Sequence, residues 1–282
     1  MNELMEARIE LGFETDSIES LAARYRSAKP FPHIHLESFL DPELARELAQ
    51  EFPRTGTAAW TQYKHYNENK QGLTKREQVP NGLGRLIDEL NGPEFTASLS
   101  RLTGIPNLIA DPSLEGGGLH QSGPTGFLNI HADFTVHHHH PHWRRRVNLI
   151  LYLNEGWQEN WGGAIELWDR GMTHCVVKIA PLLNHAVIFS TDEDSYHGFP
   201  DGLTCPEGVT RKSVALYYYT EEMVVSARST NYRARPADAR SKAALIWADK
   251  QAVSAYSKLK RKLGLSDNFA SSLLALISRS KE

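Results

Sequence analysis

Two hydrophobic periods divide the chain. Up to about Gly104 the apolar residues recur at three- and four-residue spacing, the repeat of helices that bury one face. Ile18, Leu21, Ala22 and Tyr25 form one stripe, with Asp16 and Glu19 at capping-box-like spacing before it and Pro30 behind it. Asp41 is a good N-cap, Pro42 suits a first turn, and Leu44, Ala45, Leu48, Ala49 and Phe52 run on to Pro53. Leu83, Leu86, Ile87 and Leu90 precede Asn91-Gly92, and Phe95, Leu99 and Leu102 precede Gly104. The first hundred residues therefore read as helical, and the stripes as core.

From about Ile105 the pattern shortens to runs rich in valine, isoleucine and aromatics, punctuated by glycine and proline, as in a sandwich or barrel. The predicted strands are Gly126–Phe134, Val147–Asn154, Ala164–Trp168, Cys175–Ile179, His185–Thr191, Ser195–Phe199 and Lys212–Thr220. Beyond Pro236 helical patterning returns, with Ser266-Asp267 capping a last helix that carries Phe269, Leu273, Leu276 and Ile277. The expectation is one α+β domain in three parts. Residues 1–104 form a helical region packed on the core, 105–225 the β-rich core and 226–282 a helical extension.

Composition narrows the function classes. Hydrophobic residues make up 40% and charged residues 23%, enough apolar surface to exclude disorder as the main state. Lysine and arginine total 31 against 34 acidic residues, so nothing draws the whole chain to nucleic acid or an anionic membrane. No apolar window has membrane-spanning length, and Met1 to Glu10, with three glutamates, does not read as a leader. Cys175 and Cys205 cannot build a disulfide framework, which predicts a reducing, cytoplasmic setting and a packing role for both. Gly116-Gly117-Gly118 lacks the context of a phosphate loop. Between Arg228 and Lys262 ten basic residues face two aspartates, a run that reads as a solvated helical face before an anionic partner site.

The histidines carry the candidate chemistry. On the strand from Gly126 side chains alternate, so Asn129, His131 and Asp133 share one face and Leu128, Ile130 and Ala132 take the other. His197 lies sixty-four residues beyond Asp133, near a strand end. Two histidines and one carboxylate form the facial triad of non-haem Fe(II), which leaves adjacent coordination positions open. His185 competes as the distal ligand, but it lies 26 residues before Arg211 whereas His197 lies fourteen before it. Arg211 and Ser213 share a face of their strand, and a guanidinium beside a hydroxyl is a receptor for a carboxylate. On the strand from Val147, the residues Val147, Leu149, Leu151 and Leu153 take one face, while Asn148, Tyr152 and Asn154 take the other and need polar partners.

These residues carry a resemblance. His131-Ala132-Asp133, the run Val147 to Asn154, Trp161-Gly162-Gly163 through Trp168, His197-Gly198 and Arg211-Lys212-Ser213 together resemble the Fe(II)/2-oxoglutarate dioxygenases of the prolyl-4-hydroxylase type, over roughly Gly116 to Thr220. The resemblance implies a double-stranded β-helix, or jelly roll, with Fe(II) on His131, Asp133 and His197. It implies that Arg211, assisted by Tyr152, takes the distal carboxylate of 2-oxoglutarate; strand alternation adds Ser213. Oxygen is then the oxidant, succinate and carbon dioxide the co-products, and ascorbate a candidate reductant. Related halogenases have a small residue where this chain has Asp133, so hydroxylation is favoured.

Blander readings stand beside these. Tyr152 and Ser213 serve equally well as core groups, and Arg211 as a structural ion pair. The run His137-His138-His139-His140-Pro141-His142 invites a second metal site but reads first as a solvated loop at the iron mouth, with a grip on an anionic or polar substrate as the other option. Trp157, Trp161 and Trp168 read as hairpin and core residues. The substrate is a prolyl residue of a peptide or a free small molecule such as a sugar, lipid or amino-acid derivative. A non-catalytic jelly-roll module that binds metal or ligand is the alternative outside enzymology.

Overall fold

The computed structural model describes residues 17–56 and 60–263. Four helices come before the main run of strands: α1 (Ile18–Ser27), α2 (Pro42–Glu51), α3 (Asn81–Leu90) and α4 (Pro93–Thr103). Their buried residues are those of the sequence stripes, including Leu21, Leu48, Leu83, Leu86 and Leu99. The Asp41 carboxylate accepts from the Glu43 and Leu44 amides, which satisfies two donors that a helix start leaves open. At α1 the cap is Ser17, which accepts from Ser20, and Asp16 lies outside the described residues.

The strands are β1 (His33–Leu36), β2 (Thr61–His65), β3 (Glu68–Leu73), β4 (Ile109–Ala110), β5 (Gly118–Ser122), β6 (Phe127–Ala132), β7 (Trp143–Tyr152), β8 (Ile165–Trp168), β9 (Cys175–Ile179), β10 (Ala186–Ser190), β11 (His197–Phe199), β12 (Arg211–Glu221) and β13 (Asn231–Tyr232). They run in the order β1-β10-β7-β12-β5-β3-β6-β11-β8-β9, all neighbours antiparallel, with β2 on β3, β4 on β12 and β13 on β6. The sheet curls into a nearly closed barrel, the double-stranded β-helix of the sequence expectation. Three strands precede Ile105, so the first hundred residues are not wholly helical. Polar residues on both faces of β2 and β3 hide the alternation that betrays a strand, since part of this hairpin meets a polar cavity.

The outer face of the barrel is the core. Val147, Leu149 and Leu151 of β7 and Leu153 just beyond its end, with Ile188, Val214 and Leu216, pack under the helices against Leu83, Leu86, Ile87 and Leu102. Leu149 is fully buried, and truncating it to alanine costs ~2–5 kcal/mol. A fifth helix, α5 (Arg240–Leu263), closes the described chain. Within the basic run, Arg228 pairs with Glu193, Arg235 with Asp201 and Lys242 with Asp238, so part of it is engaged rather than solvated. The expected last helix from Ser266 lies outside the described residues. Among the described residues no helix is long and apolar enough to cross a membrane.

Candidate active site

Antiparallel register builds the centre. His197 of β11 stands opposite His131 of β6, and the two imidazole centroids are 4.4 Å apart. Asp133 follows two residues after His131, on the same side. Its Oδ1 lies 3.4 Å from His131 Nε2, and its Oδ2 lies 3.5 Å from His197 Nε2. One ligand atom from each of the three falls within 4.8 Å of the others. Gly198 makes this approach feasible, because a Cβ there would stand 2.7 Å from the Leu128 carbonyl oxygen and 2.9 Å from that of Asn129.

Tautomers are fixed by the backbone. His131 Nδ1 lies 2.9 Å from the Asn129 carbonyl and His197 Nδ1 lies 3.0 Å from the Ser195 carbonyl. A carbonyl only accepts, so each Nδ1 carries the proton and each Nε2 presents a lone pair toward Asp133. Burial pushes the His197 pKa down to about 4, against the opposing pull of Asp133, so the ring is a neutral donor at pH 7. Burial also works against charge on Asp133, but Arg145 and the two histidines outweigh it and hold the carboxyl well below its ordinary range. Two imidazole Nε2 atoms and one carboxylate, buried and convergent, fit Fe(II) in donor type and number.

The carboxylate is itself held. Asn148 Nδ2 donates to Asp133 Oδ2 at 2.8 Å, and Asn148 Oδ1 accepts from Arg145 Nε at 2.9 Å. Arg145 Nη2 lies 3.1 Å from the same Oδ2. Both contacts fall on Oδ2, which leaves Oδ1 as the freer oxygen.

Arg211 and Ser213 line the same cavity. Arg211 Nε donates to the Gly163 carbonyl at 2.7 Å and Nη2 donates to Tyr152 Oη at 3.1 Å, with the guanidinium over the Phe199 ring at 4.2 Å. Gly163, at φ +78°, leaves room for this side chain, since a Cβ there would come within 3.0 Å of Arg211 Cδ. The buried guanidinium has no carboxylate partner among its contacts and keeps donors for a ligand. Burial lowers its pKa despite Tyr152. Ser213 sits in register between Tyr152 of β7 and His120 of β5.

Other expectations come out differently. Asn129 does not join His131 on the cavity wall: the pairing shifts between His197 and Phe199, Leu128 faces the cavity, and Asn129 donates to Asn67 and the Tyr66 carbonyl. Asn154 ties strands together through Pro181 and Lys212. His185 meets His35 at 2.9 Å, away from the centre. In the histidine run His139 and His140 are exposed, yet His137 is buried between Asp111 and Glu115, each at 3.3 Å, so that end of the loop is a packed charge cluster. Lys70, His120, Arg145 and Tyr217 also line the cavity and were not among the candidates. For Arg145 the only signal was its place beside the histidine run; for Lys70 there was none.

Residues 117–219 match the 2OG-Fe(II) oxygenase superfamily. No curated protein matches the chain. Among solved structures, a prolyl hydroxylase from Trichoplax adhaerens, in complex with a hypoxia inducible factor oxygen degradation domain peptide, is similar at 16% identity and TM-score 0.52, over 74% of this chain and 94% of that one. A Pseudomonas putida prolyl-4-hydroxylase aligns at 19% identity and TM-score 0.49, over 72% of this chain and all of its own. HygX from Streptomyces hygroscopicus, bound to nickel, 2-oxoglutarate and hygromycin B, aligns at 11% identity and TM-score 0.45, over 69% and 84%. The matched segment, which holds His131, Asp133, His197 and Arg211, is a 2OG-Fe(II) oxygenase domain, and it supports a dioxygenase enzyme. Its fold is that of the Trichoplax prolyl hydroxylase.

Proposed function

We propose that the chain hydroxylates an organic substrate, with 2-oxoglutarate converted to succinate and carbon dioxide, at Fe(II) held by His131, Asp133 and His197. The observation that carries this reading is the convergence of the three ligand atoms within 4.8 Å, in a cavity whose wall also bears Arg211. Iron bound there would supply the positions at which cosubstrate and oxygen meet. The two imidazoles, locked by the Asn129 and Ser195 carbonyls, hold their Nε2 lone pairs in place without reorganisation. Arg211 offers its remaining donors to the distal carboxylate of 2-oxoglutarate, with the Tyr152 and Ser213 hydroxyls beside it.

Substrate remains a choice between a prolyl residue and a free small molecule such as a sugar, lipid or amino-acid derivative. Oxygen is the oxidant and ascorbate the candidate reductant. The oxygenase match and the carboxylate-ready Arg211 favour catalysis over a metal- or ligand-binding module. Two unpaired thiols suit a cytoplasmic setting.

Succinate release with Fe(II), 2-oxoglutarate and oxygen tests the reaction, and Arg211→Lys tests the pocket. Losing the planar fork removes charge-assisted bonds of ~1.5–3 kcal/mol, so KM for 2-oxoglutarate rises ~10–100-fold, with a fall in melting temperature from the lost Gly163 and Tyr152 contacts. An unchanged KM places the carboxylate pocket elsewhere.

A further inference from the structure

Arg211 is one of three cations on the cavity wall, and the other two, Lys70 and Arg145, have no role in the reading above beyond the Arg145 contact with Asp133. Arg145 is a fixed plate. It is 2% exposed, its guanidinium carbon lies 3.4 Å from the Tyr217 ring centroid and 4.7 Å from that of Phe134, and Nε is tied to Asn148. Nη2 is ion-paired with Asp133 Oδ2 at 3.1 Å but out of line for a hydrogen bond, so this buried nitrogen has no hydrogen-bond acceptor of its own. A buried donor left unmatched costs ~1–3 kcal/mol, and a ligand oxygen would recover it.

Lys70 is reachable from solvent, at 18% side-chain exposure, and its Nζ meets Glu68 Oε2 at 3.1 Å. A chain of contacts running back to α5 holds it there. Glu68 Oε1 bonds His65 Nε2 at 2.8 Å, and His65 Nδ1 bonds Asp249 Oδ2 at 2.7 Å.

Charge decides what the pair receives. Around the cavity and its ion-pair partners stand four cations, Lys70, Arg145, Arg211 and His65, and three carboxylates, Asp133, Glu68 and Asp249. His65 counts as charged because its two carboxylate bonds overcome burial and raise its pKa to about 9; burial and the nearby cations keep His120 neutral, its pKa lowered to about 3. One positive charge remains, and a divalent metal with doubly charged 2-oxoglutarate leaves that balance unchanged. A single buried excess charge calls for a monoanion, whereas a phosphate at ~−1.5 to −2 would overshoot.

We propose that the substrate carries a carboxylate, received by Lys70 and Arg145 on the wall of the cavity, so that the substrate class is an organic acid. This rests on the oxygenase reading. The test uses protein loaded with Zn(II) and saturating 2-oxoglutarate, mixed with acids and their matched amides: propionate and propionamide, N-acetylglycine and N-acetylglycinamide, phenylacetate and phenylacetamide. Binding is read by saturation-transfer NMR. Each acid should bind about tenfold tighter than its amide, Lys70→Met should shrink that preference to about twofold or less, and Lys70→Arg should restore it. Equal binding of acid and amide by the native chain, a preference that survives Lys70→Met, or no acid binding at about 20 mM overturns the proposal. The native comparison decides even if Lys70→Met fails to fold. A parallel anaerobic Fe(II) sample separates the two readings. If it lacks the 2-oxoglutarate charge-transfer band, the oxygenase reading is at fault; with the band present and no acid preference, only the carboxylate subsite fails.

Discussion

Gly198→Ala is the sharpest test of how the barrel makes its centre. The added Cβ would stand 2.7 Å from the Leu128 carbonyl oxygen and 2.9 Å from that of Asn129, both backbone atoms with little freedom to give way. Carbon and carbonyl oxygen pack at ~3.3–3.6 Å across neighbouring strands, so β11 must move from β6 by about half an ångström or more. Overpacking of this kind costs ~1–3 kcal/mol, which a domain with a core spanning four helices and the outer sheet can absorb. The metal centre has less tolerance, since His197 is on the displaced strand and His131 on the fixed one. Expected is a protein that melts a few degrees lower yet binds Fe(II) ~10–100-fold more weakly, the same energy expressed at the site. Anaerobic titration of Fe(II) at saturating 2-oxoglutarate, followed by the charge-transfer band, reads the affinity, and thermal melting reads the fold. Wild-type Fe(II) affinity in a folded Gly198→Ala protein would refute the claim that the β6–β11 spacing sets the centre.

Two further outcomes follow from contacts around the site. Asn148→Ala removes the 2.8 Å bond to Asp133 Oδ2 and one support of Arg145, and should weaken metal binding ~10–100-fold with a modest fall in melting temperature; unchanged affinity would reduce Asn148 to a packing role. His65, whose folded pKa of about 9 exceeds the unfolded ~6.5, contributes stability that is complete below about pH 6.5 and is lost as pH rises through about 9, at most ~3 kcal/mol. Asp249→Asn should lower stability at pH 7 and flatten its decline between pH 7 and 9, and urea unfolding across that range measures both; a slope equal to the native one would mean that the Asp249 contact does not govern His65.

The helices and the outer sheet face were legible because their residues repeat with the period of the element that buries them. His131, Asp133, His197 and Arg211 were legible because each is a chemically distinctive residue at or near a strand end. The rest of the cavity wall was harder to read for two reasons. Its inner surface is polar, so the β2–β3 hairpin with Lys70 and the strand with His120 show no hydrophobic alternation. Bulges also break the two-residue count next to the site. Between Tyr218 and Tyr219 the pairing with β7 slips, so Arg145, which shares the parity of outward-facing Val147, turns inward with Asn148. A similar slip opposite His197 turns Asn129 away and brings Leu128 in. His137 was misread because its buried partners, Asp111 and Glu115, lie more than twenty residues upstream.

The most direct measurement is the visible charge-transfer band formed when anaerobic protein receives Fe(II) and 2-oxoglutarate, compared between the native chain and His131→Ala. The native chain should develop the band at one equivalent of iron, and the variant should not develop it at any iron concentration that leaves the protein folded. A band of native intensity in folded His131→Ala would contradict the assignment of the iron to these three side chains.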